Sequence, residues 1–103
     1  MKLNLDDITF IIVSYKSEDI IERCLSSLPK NSKKIIIENS NNTNLKRNLK
    51  SKYDNIEVIL SDNIGMGAGN NIGLKECKTN YAYVLNPDTT FQKDTFSNFI
   101  EAL

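Results

Sequence analysis

Hydrophobic positions along the chain switch between two periods. Ile8-Thr9-Phe10-Ile11-Ile12-Val13 is a short, almost continuous apolar run rich in β-branched residues. Such a run predicts a strand buried on both faces, as a parallel sheet requires. Helical spacing follows at once. Ile20, Ile21, Cys24, Leu25 and Leu28 share one face, Ser17 stands at the capping position, and Glu18 and Asp19 suit the positive end of the helix. Pro29, Asn31 and Ser32 close it. The same phrase recurs. Ile35-Ile36-Ile37 predicts a second strand, then a polar loop over 39–44 and a short helix holding Leu45 and Leu49. Ile56–Leu60 predicts a third, then a glycine-rich loop and a helix over 68–77. Tyr81–Leu85 predicts a fourth, then Asn86-Pro87-Asp88 and a last helix with Phe96, Phe99, Ile100 and Leu103 on one face, capped by Asp94 or Thr95.

Strands alternating with helices predict an α/β fold: an open, mostly parallel sheet of about four strands with helices on both faces. Right-handed crossovers make such a sheet doubly wound. Ligands of these sheets sit beyond the carboxyl ends of the strands, where the strand order reverses. Attention therefore falls on four loops, at 14–17, 38–43, 61–69 and 86–90.

Composition narrows the chemistry those loops can do. At 103 residues the chain is expected to form one domain over 1–103, since compact domains run to about 100–150 residues. Its 13 basic and 13 acidic residues cancel, which removes the electrostatic signature of a nucleic-acid or membrane-surface binder. No apolar run approaches the roughly 20 residues that span a bilayer. Met1-Lys2-Leu3-Asn4-Leu5-Asp6-Asp7 is too acidic and too broken for a secretory signal, so a cytoplasmic location is expected. Histidine is absent, and Cys24 and Cys77 are far apart. That pattern excludes Cys/His zinc sites and histidine-assisted nucleophiles. Both cysteines fall on apolar helix faces and are expected to be buried free thiols.

Each loop admits a functional and a plain reading. Ser14-Tyr15-Lys16 offers a hydroxyl and backbone amides at a helix N-terminus, suited to a ligand's polar groups; equally, Ser14 and Ser17 can serve as caps while Tyr15 covers apolar surface. Glu38 sits where a carboxylate can accept hydrogen bonds from a base or ribose, yet Asn39-Ser40-Asn41-Asn42-Thr43 also suits a ligand-free turn. Asn63-Ile64-Gly65-Met66-Gly67-Ala68-Gly69-Asn70-Asn71-Ile72-Gly73 holds all four glycines. Its spacing fails the dinucleotide fingerprint, because Asn70 and Ile72 stand where the third glycine is needed, and it lacks the Gly-Lys-Ser/Thr ending of a phosphate loop. Asp88, on a turn stiffened by Pro87, projects a carboxylate that suits either a hard divalent cation or a capped turn.

Taken together, the four loops resemble the nucleotide-binding half of the family 2 glycosyltransferases, which have the GT-A fold. The resemblance covers nearly the whole chain in order and spacing. Family members end the first strand in Ser-Tyr-Asn, here Ser14-Tyr15-Lys16, and the second in Val-Asp-Asn-x-Ser, here Ile37-Glu38-Asn39-Ser40-Asn41. Asn-x-Gly-Phe-x-x-Gly-x-Asn-x-Gly follows, matched by 63–73, and then Leu-Asn-Pro-Asp, here Leu85-Asn86-Pro87-Asp88. The Asn-Pro-Asp form is similar to the rhamnosyltransferase-like branch. The resemblance implies a nucleoside-diphosphate sugar as donor and transfer of its sugar to an acceptor hydroxyl. It implicates Glu38 in reading the base, Asp88 in holding Mn²⁺ or Mg²⁺ with Asn86 beside it, and Ser14 and Tyr15 in lining the nucleotide pocket. Asn39, Asn63, Gly65, Asn70 and Asn71 complete the implied nucleotide site. Lys16 replaces a common asparagine, Glu38 an aspartate, Asn70 a frequent arginine and Asn86 a carboxylate.

In the family the general base and acceptor pocket follow the metal motif, so the base is expected beyond Leu103. The chain is thus expected to be a donor-binding half with no base of its own, inactive in isolation. A non-catalytic module of the same fold, acting by nucleotide binding or by oligomerisation through an exposed sheet edge, is the alternative. A receiver-like signalling domain is disfavoured because Asp6 and Asp7 precede the first strand, whereas that fold needs acids at a strand's carboxyl end.

Overall fold

A computed structural model describes residues 4–88; the expected last helix and its caps lie outside them. A single 3₁₀ turn at Leu5–Asp7 leads into β1 (Ile8–Ser14), α1 (Glu18–Ser27), β2 (Lys33–Glu38), α2 (Thr43–Lys52), β3 (Ile56–Leu60), α3 (Met66–Glu76) and β4 (Tyr81–Leu85). The strands form one sheet in the order β3-β2-β1-β4, and every pairing is parallel. The register sets Ile11 beside Ile35 on one side and Val84 on the other.

Side-chain alternation along the strands divides the core into two layers. Phe10, Ile12, Ile36, Val58 and Leu85 point to the face covered by α1 and α2, where they meet Ile21, Cys24, Leu25, Leu28, Leu45 and Leu49. Ile11, Val13, Ile35 and Ile37 point the other way, to Ile59, Ile72 and Cys77. The doubly wound arrangement is therefore present, with α3 on the face opposite α1 and α2. The chain steps outward from β1 to β2 to β3, then returns to place β4 on the far side of β1. That reversal opens a crevice between the carboxyl ends of β1 and β4.

Two local readings shift. The glycine-rich stretch is expected to be loop as far as residue 67, but α3 begins at Met66, with Gly65 at φ +86° as its N-cap. Gly69 and Gly73, one turn apart, are buried against β1. A Cβ on Gly69 would stand 2.9 Å from Val13 Cγ1, and one on Gly73 would overlap Ile11 Cγ2. These glycines let the helix backbone lie close on the sheet. Cys77 is the C-cap of α3 and only half-buried, its thiol 3.4 Å from Thr79 Oγ1. Burial pushes its pKa up, but hydrogen bonds with Thr79 and Thr9 outweigh that and hold it below the usual thiol value. Cys24 is buried as expected, and burial, with Asp88 nearby, pushes its pKa up to about 11. Among the described residues no helix is long and apolar enough to cross a membrane.

The packing fixes opposite signs for two glycine substitutions in the same helix. Gly73→Ala relieves about 1 kcal/mol of helix-propensity cost but overpacks against a β-branched side chain, for a net loss of about 1–2 kcal/mol. At Gly67 a methyl group would meet nothing within 4 Å, so Gly67→Ala is expected to gain up to about 1 kcal/mol. Urea unfolding midpoints of the two variants check the pair, and equal shifts would refute the close-packing account.

Candidate functional site

At the carboxyl edge of the sheet the β2–α2 loop is tied to the loop before it, and the β3–α3 loop to the β2–α2 loop. β1 ends at Ser14, and the chain turns through Lys16 at φ +49°, a left-handed conformation that asparagine tolerates better than lysine. The Lys16 amine lies 5.4 Å from the centre of the Tyr15 ring. Ser17 does stand at the N-cap of α1, its carbonyl accepting from the Ile20 and Ile21 N–H groups, while its hydroxyl donates to the Tyr15 carbonyl at 2.9 Å. The Asn39 N–H donates to the Ser14 carbonyl at 2.7 Å, tying the end of β2 to the end of β1.

The Asn39 side chain carries the tie onward. It is 2% exposed. Its Oδ1 accepts from Ser61 Oγ at 2.8 Å and from the Ile64 N–H at 3.1 Å. Its Nδ2 donates to the Gly65 carbonyl at 3.3 Å. One amide thus spans the loop between β3 and α3 and fixes the turn from which α3 starts.

Glu38 is also fully buried. Its carboxylate accepts from the Ser40 N–H at 3.1 Å, the Asn42 N–H at 2.8 Å and Ser40 Oγ at 2.8 Å. Ser14 Oγ is buried with no hydrogen-bond partner among the described residues. Asn70 and Asn71 lie on α3, the first half-buried and the second exposed.

The four loops converge on a cleft of about 600 Å³ at the reversal between β1 and β4. Val13, Ile20, Met66 and Pro87 form its apolar wall, and Tyr15, Ser17, Asn39, Asn63, Asn86 and Asp88 bring polar groups, with Gly65 between them. Of the residues singled out from the sequence, Tyr15, Asn39, Asn63, Gly65, Asn86 and Asp88 line it; Ser14, Glu38, Asn70 and Asn71 do not. Ile20 and Met66 are additions. Ile20 has the spacing of a core position, yet it is 38% exposed at the rim beside Met66 at 50%. Apolar side chains left open around a concavity are the physical mark of a binding surface. A larger groove of about 740 Å³ runs between α1 and α2, but it lies on the helical flank, and its Glu22 already pairs with Lys52 at 2.8 Å.

Asp88 is exposed at the cleft, and among the described residues no group of three or more His, Cys, Asp or Glu side chains comes together. A lone carboxylate with Asn86 lining the same cleft has the oxygen chemistry that a hard cation takes. Such a cation takes oxygen ligands and needs only one or two protein carboxylates when phosphates and water supply the rest.

The topology, the cleft and the motif order lead to one family. The model of glycosyl transferase family 2 matches residues 9–103, and the chain belongs to that family. It is 34% identical over 95 residues to the low-salt glycan biosynthesis hexosyltransferase Agl10 of Haloferax volcanii, covering 87% of this chain and 30% of that protein. It is 34% identical over 104 residues to the poly-beta-1,6-N-acetyl-D-glucosamine synthase of Staphylococcus aureus strain MW2, covering 94% of this chain and 25% of that one. The chain therefore spans less than a third of the length of these curated relatives. The crystal structure of S. aureus TarS 1–349 superimposes with a TM-score of 0.73 at 21% identity, over 90% of this chain and 31% of that one; this likeness establishes the shared fold.

The geometry assigns Asn39 a cost. Asn39→Ala leaves the Ile64 N–H and Ser61 Oγ without their acceptor, and the expected loss is about 2–3 kcal/mol. Amide exchange should accelerate first at Ile64 and Gly65. Unchanged protection there would show that the loop is held by something else.

Proposed function

We propose that the cleft binds the nucleoside-diphosphate portion of an activated sugar. On this reading residues 1–103 are the donor-binding half of a glycosyltransferase domain that moves the sugar to an acceptor hydroxyl. The observation that carries it is the convergence of all four strand-end loops, with their family motifs, on one partly apolar cleft that ends at an exposed carboxylate. The hexosyltransferase named among the relatives supports the same class of reaction.

The residues suit separate parts of such a ligand. Tyr15 and the apolar wall offer a flat, dry surface to a base. The Asn63 amide and the open backbone at Gly65, held in place by the buried Asn39 side chain, offer donors and acceptors to ribose and phosphate oxygens. Asp88, with the Asn86 amide oxygen beside it, is the group that would hold Mn²⁺ or Mg²⁺. A divalent cation there would neutralise charge on the departing diphosphate. The reading assigns removal of the acceptor proton to no residue of this chain.

Calorimetric titration of the chain with UDP, dTDP and GDP, in Mn²⁺ and again in EDTA, tests the proposal. Binding of at least one diphosphate that weakens on chelation is expected. Asp88→Asn should lower the Mn²⁺-supported affinity about tenfold, or ~1.4 kcal/mol, while unfolding stability stays within about 0.5 kcal/mol because the side chain is exposed. Absence of heat with all three nucleotides at millimolar concentration would sink the proposal.

A second reading, association through the sheet edge, is favoured by Tyr81 and Val84, which are 48% and 43% exposed on β4, an edge strand among the described residues. Light scattering across a concentration series is expected to show a rising mass if it holds, and a strict monomer at the highest concentration would dismiss it.

A further inference from the structure

The carboxylate at the end of β2 is spent on the protein itself. Glu38 is the last residue of its strand, paired in register with Ser14 and Leu60, and it has no solvent exposure. Its Oε2 accepts from the backbone N–H groups of Ser40 and Asn42. Ser40 Oγ reaches both carboxylate oxygens, at 2.8 and 2.9 Å. Its main-chain carbonyl accepts the Ser61 N–H at 2.9 Å.

The donors on Glu38 are themselves connectors. Asn42 is the N-cap of α2, with Oδ1 accepting the Leu45 N–H at 3.0 Å and Nδ2 donating to Glu18 Oε1 at 2.8 Å. Between Ser40 and Asn42 the chain passes through Asn41 at φ +55°, a conformation that the two bonds from its neighbours hold in place. Ser40 Oγ also accepts the Lys16 N–H, at 3.4 Å, next to the Tyr15 ring that lines the cleft. From one buried carboxylate the hydrogen bonds run to the start of α2, the start of α1 and the turn after β1.

We infer that Glu38 is a positioning residue that locks the β2–α2 turn and, through Ser40, the Tyr15-Lys16 turn, and that it makes no direct contact with a bound nucleotide. The inference rests on the cleft as the nucleotide site. Glu38 presents no exposed surface to a base, and swinging out to meet one would release two backbone N–H groups bound at the mouth of a helix, where charge-assisted bonds of this kind are the strongest the loop makes. Selection among bases then falls to the cleft's own lining, Tyr15 and Asn63 foremost.

Glu38→Gln and Glu38→Ala separate a lock from a reader. A glutamine can keep its oxygen on the Ser40 and Asn42 N–H groups while its NH₂ faces Ser40 Oγ, which turns to accept; an alanine can do neither. Two measurements are made on the parent and both variants: amide exchange at Ser40, Asn42 and Lys16 without ligand, and titrations with UDP, dTDP and GDP in Mn²⁺. The lock predicts that Glu38→Gln keeps the amide protection, holds each dissociation constant within about twofold, and preserves the order of the nucleotides. Glu38→Ala should speed exchange at Ser40 and Asn42 at least tenfold and weaken every nucleotide by a similar factor. A changed order of nucleotides in Glu38→Gln with intact amide protection would overturn the inference in favour of direct base contact. Unchanged exchange in Glu38→Ala would overturn it as well. A parent chain that binds none of the nucleotides would count against the cleft reading, while the exchange results would still decide the lock.

Discussion

The Asn39 amide is the constraint on which the carboxyl edge of the sheet depends. Parallel strands bring their loops to one end but leave them as independent excursions, each free to fold back on its own helix. Here a single buried side chain, with its own backbone N–H on β1, joins three of those excursions into one wall. The position of α3 follows from it. The helix starts just after Gly65, whose carbonyl the Asn39 amide grips, and it then settles onto β1 through the bare backbone of Gly69 and Gly73. A cleft wall fixed at both its polar and apolar contacts has little freedom to collapse.

Polar residues near the strand ends divide into two populations. Glu38 and Asn39 are buried and committed to neighbouring backbone, whereas Asn63, Asn86 and Asp88 stand exposed at the cleft. Such a division follows from desolvation. A polar group removed from water must be satisfied within the protein, so it cannot also be held ready for a ligand. Groups that remain hydrated keep their hydrogen-bonding capacity and exchange water for ligand at modest cost. Residues alike in chemistry, such as Asn39 and Asn63, can therefore serve opposite ends.

Much of the fold was legible because strands buried on both faces have to be written as nearly continuous apolar runs, as 8–13 and 35–37 are, while 56–60, interrupted by Glu57, suits the half-buried end strand it forms. The two-layer core was legible for the same reason, since helical spacing at Ile21, Cys24, Leu25 and Leu28 leaves one destination for that face. The start of α3 was not. Gly65 and Gly67 read as loop when the local chain is considered alone, whereas Gly65, at φ +86°, is the N-cap and Gly67 already lies inside the helix. The site was legible as a set of loops, through the motif order, and less so as a set of side chains. Whether Glu38 or Asn39 turns toward the cleft depends on which backbone donors and acceptors meet it, and for Asn39 these are the Ile64 N–H and the Gly65 carbonyl, more than twenty residues away. Ile20 was not legible as a rim residue, because an apolar residue at helical spacing carries no mark of whether it faces the core or the rim.

The order β3-β2-β1-β4 also governs when the cleft can exist. β1 and β2 meet across a short connection, Thr9 with Lys33, but β1 and β4 meet only after the intervening two units have been made, Ile8 with Tyr81. Closing the longer loop carries the larger entropic cost and belongs to the slow, non-local part of folding. The crevice lies at that last seam. A chain with β1 to β3 in place would hold most of its core yet have no far wall for a ligand, so docking of β4 is the step at which a folded sheet becomes a binding site.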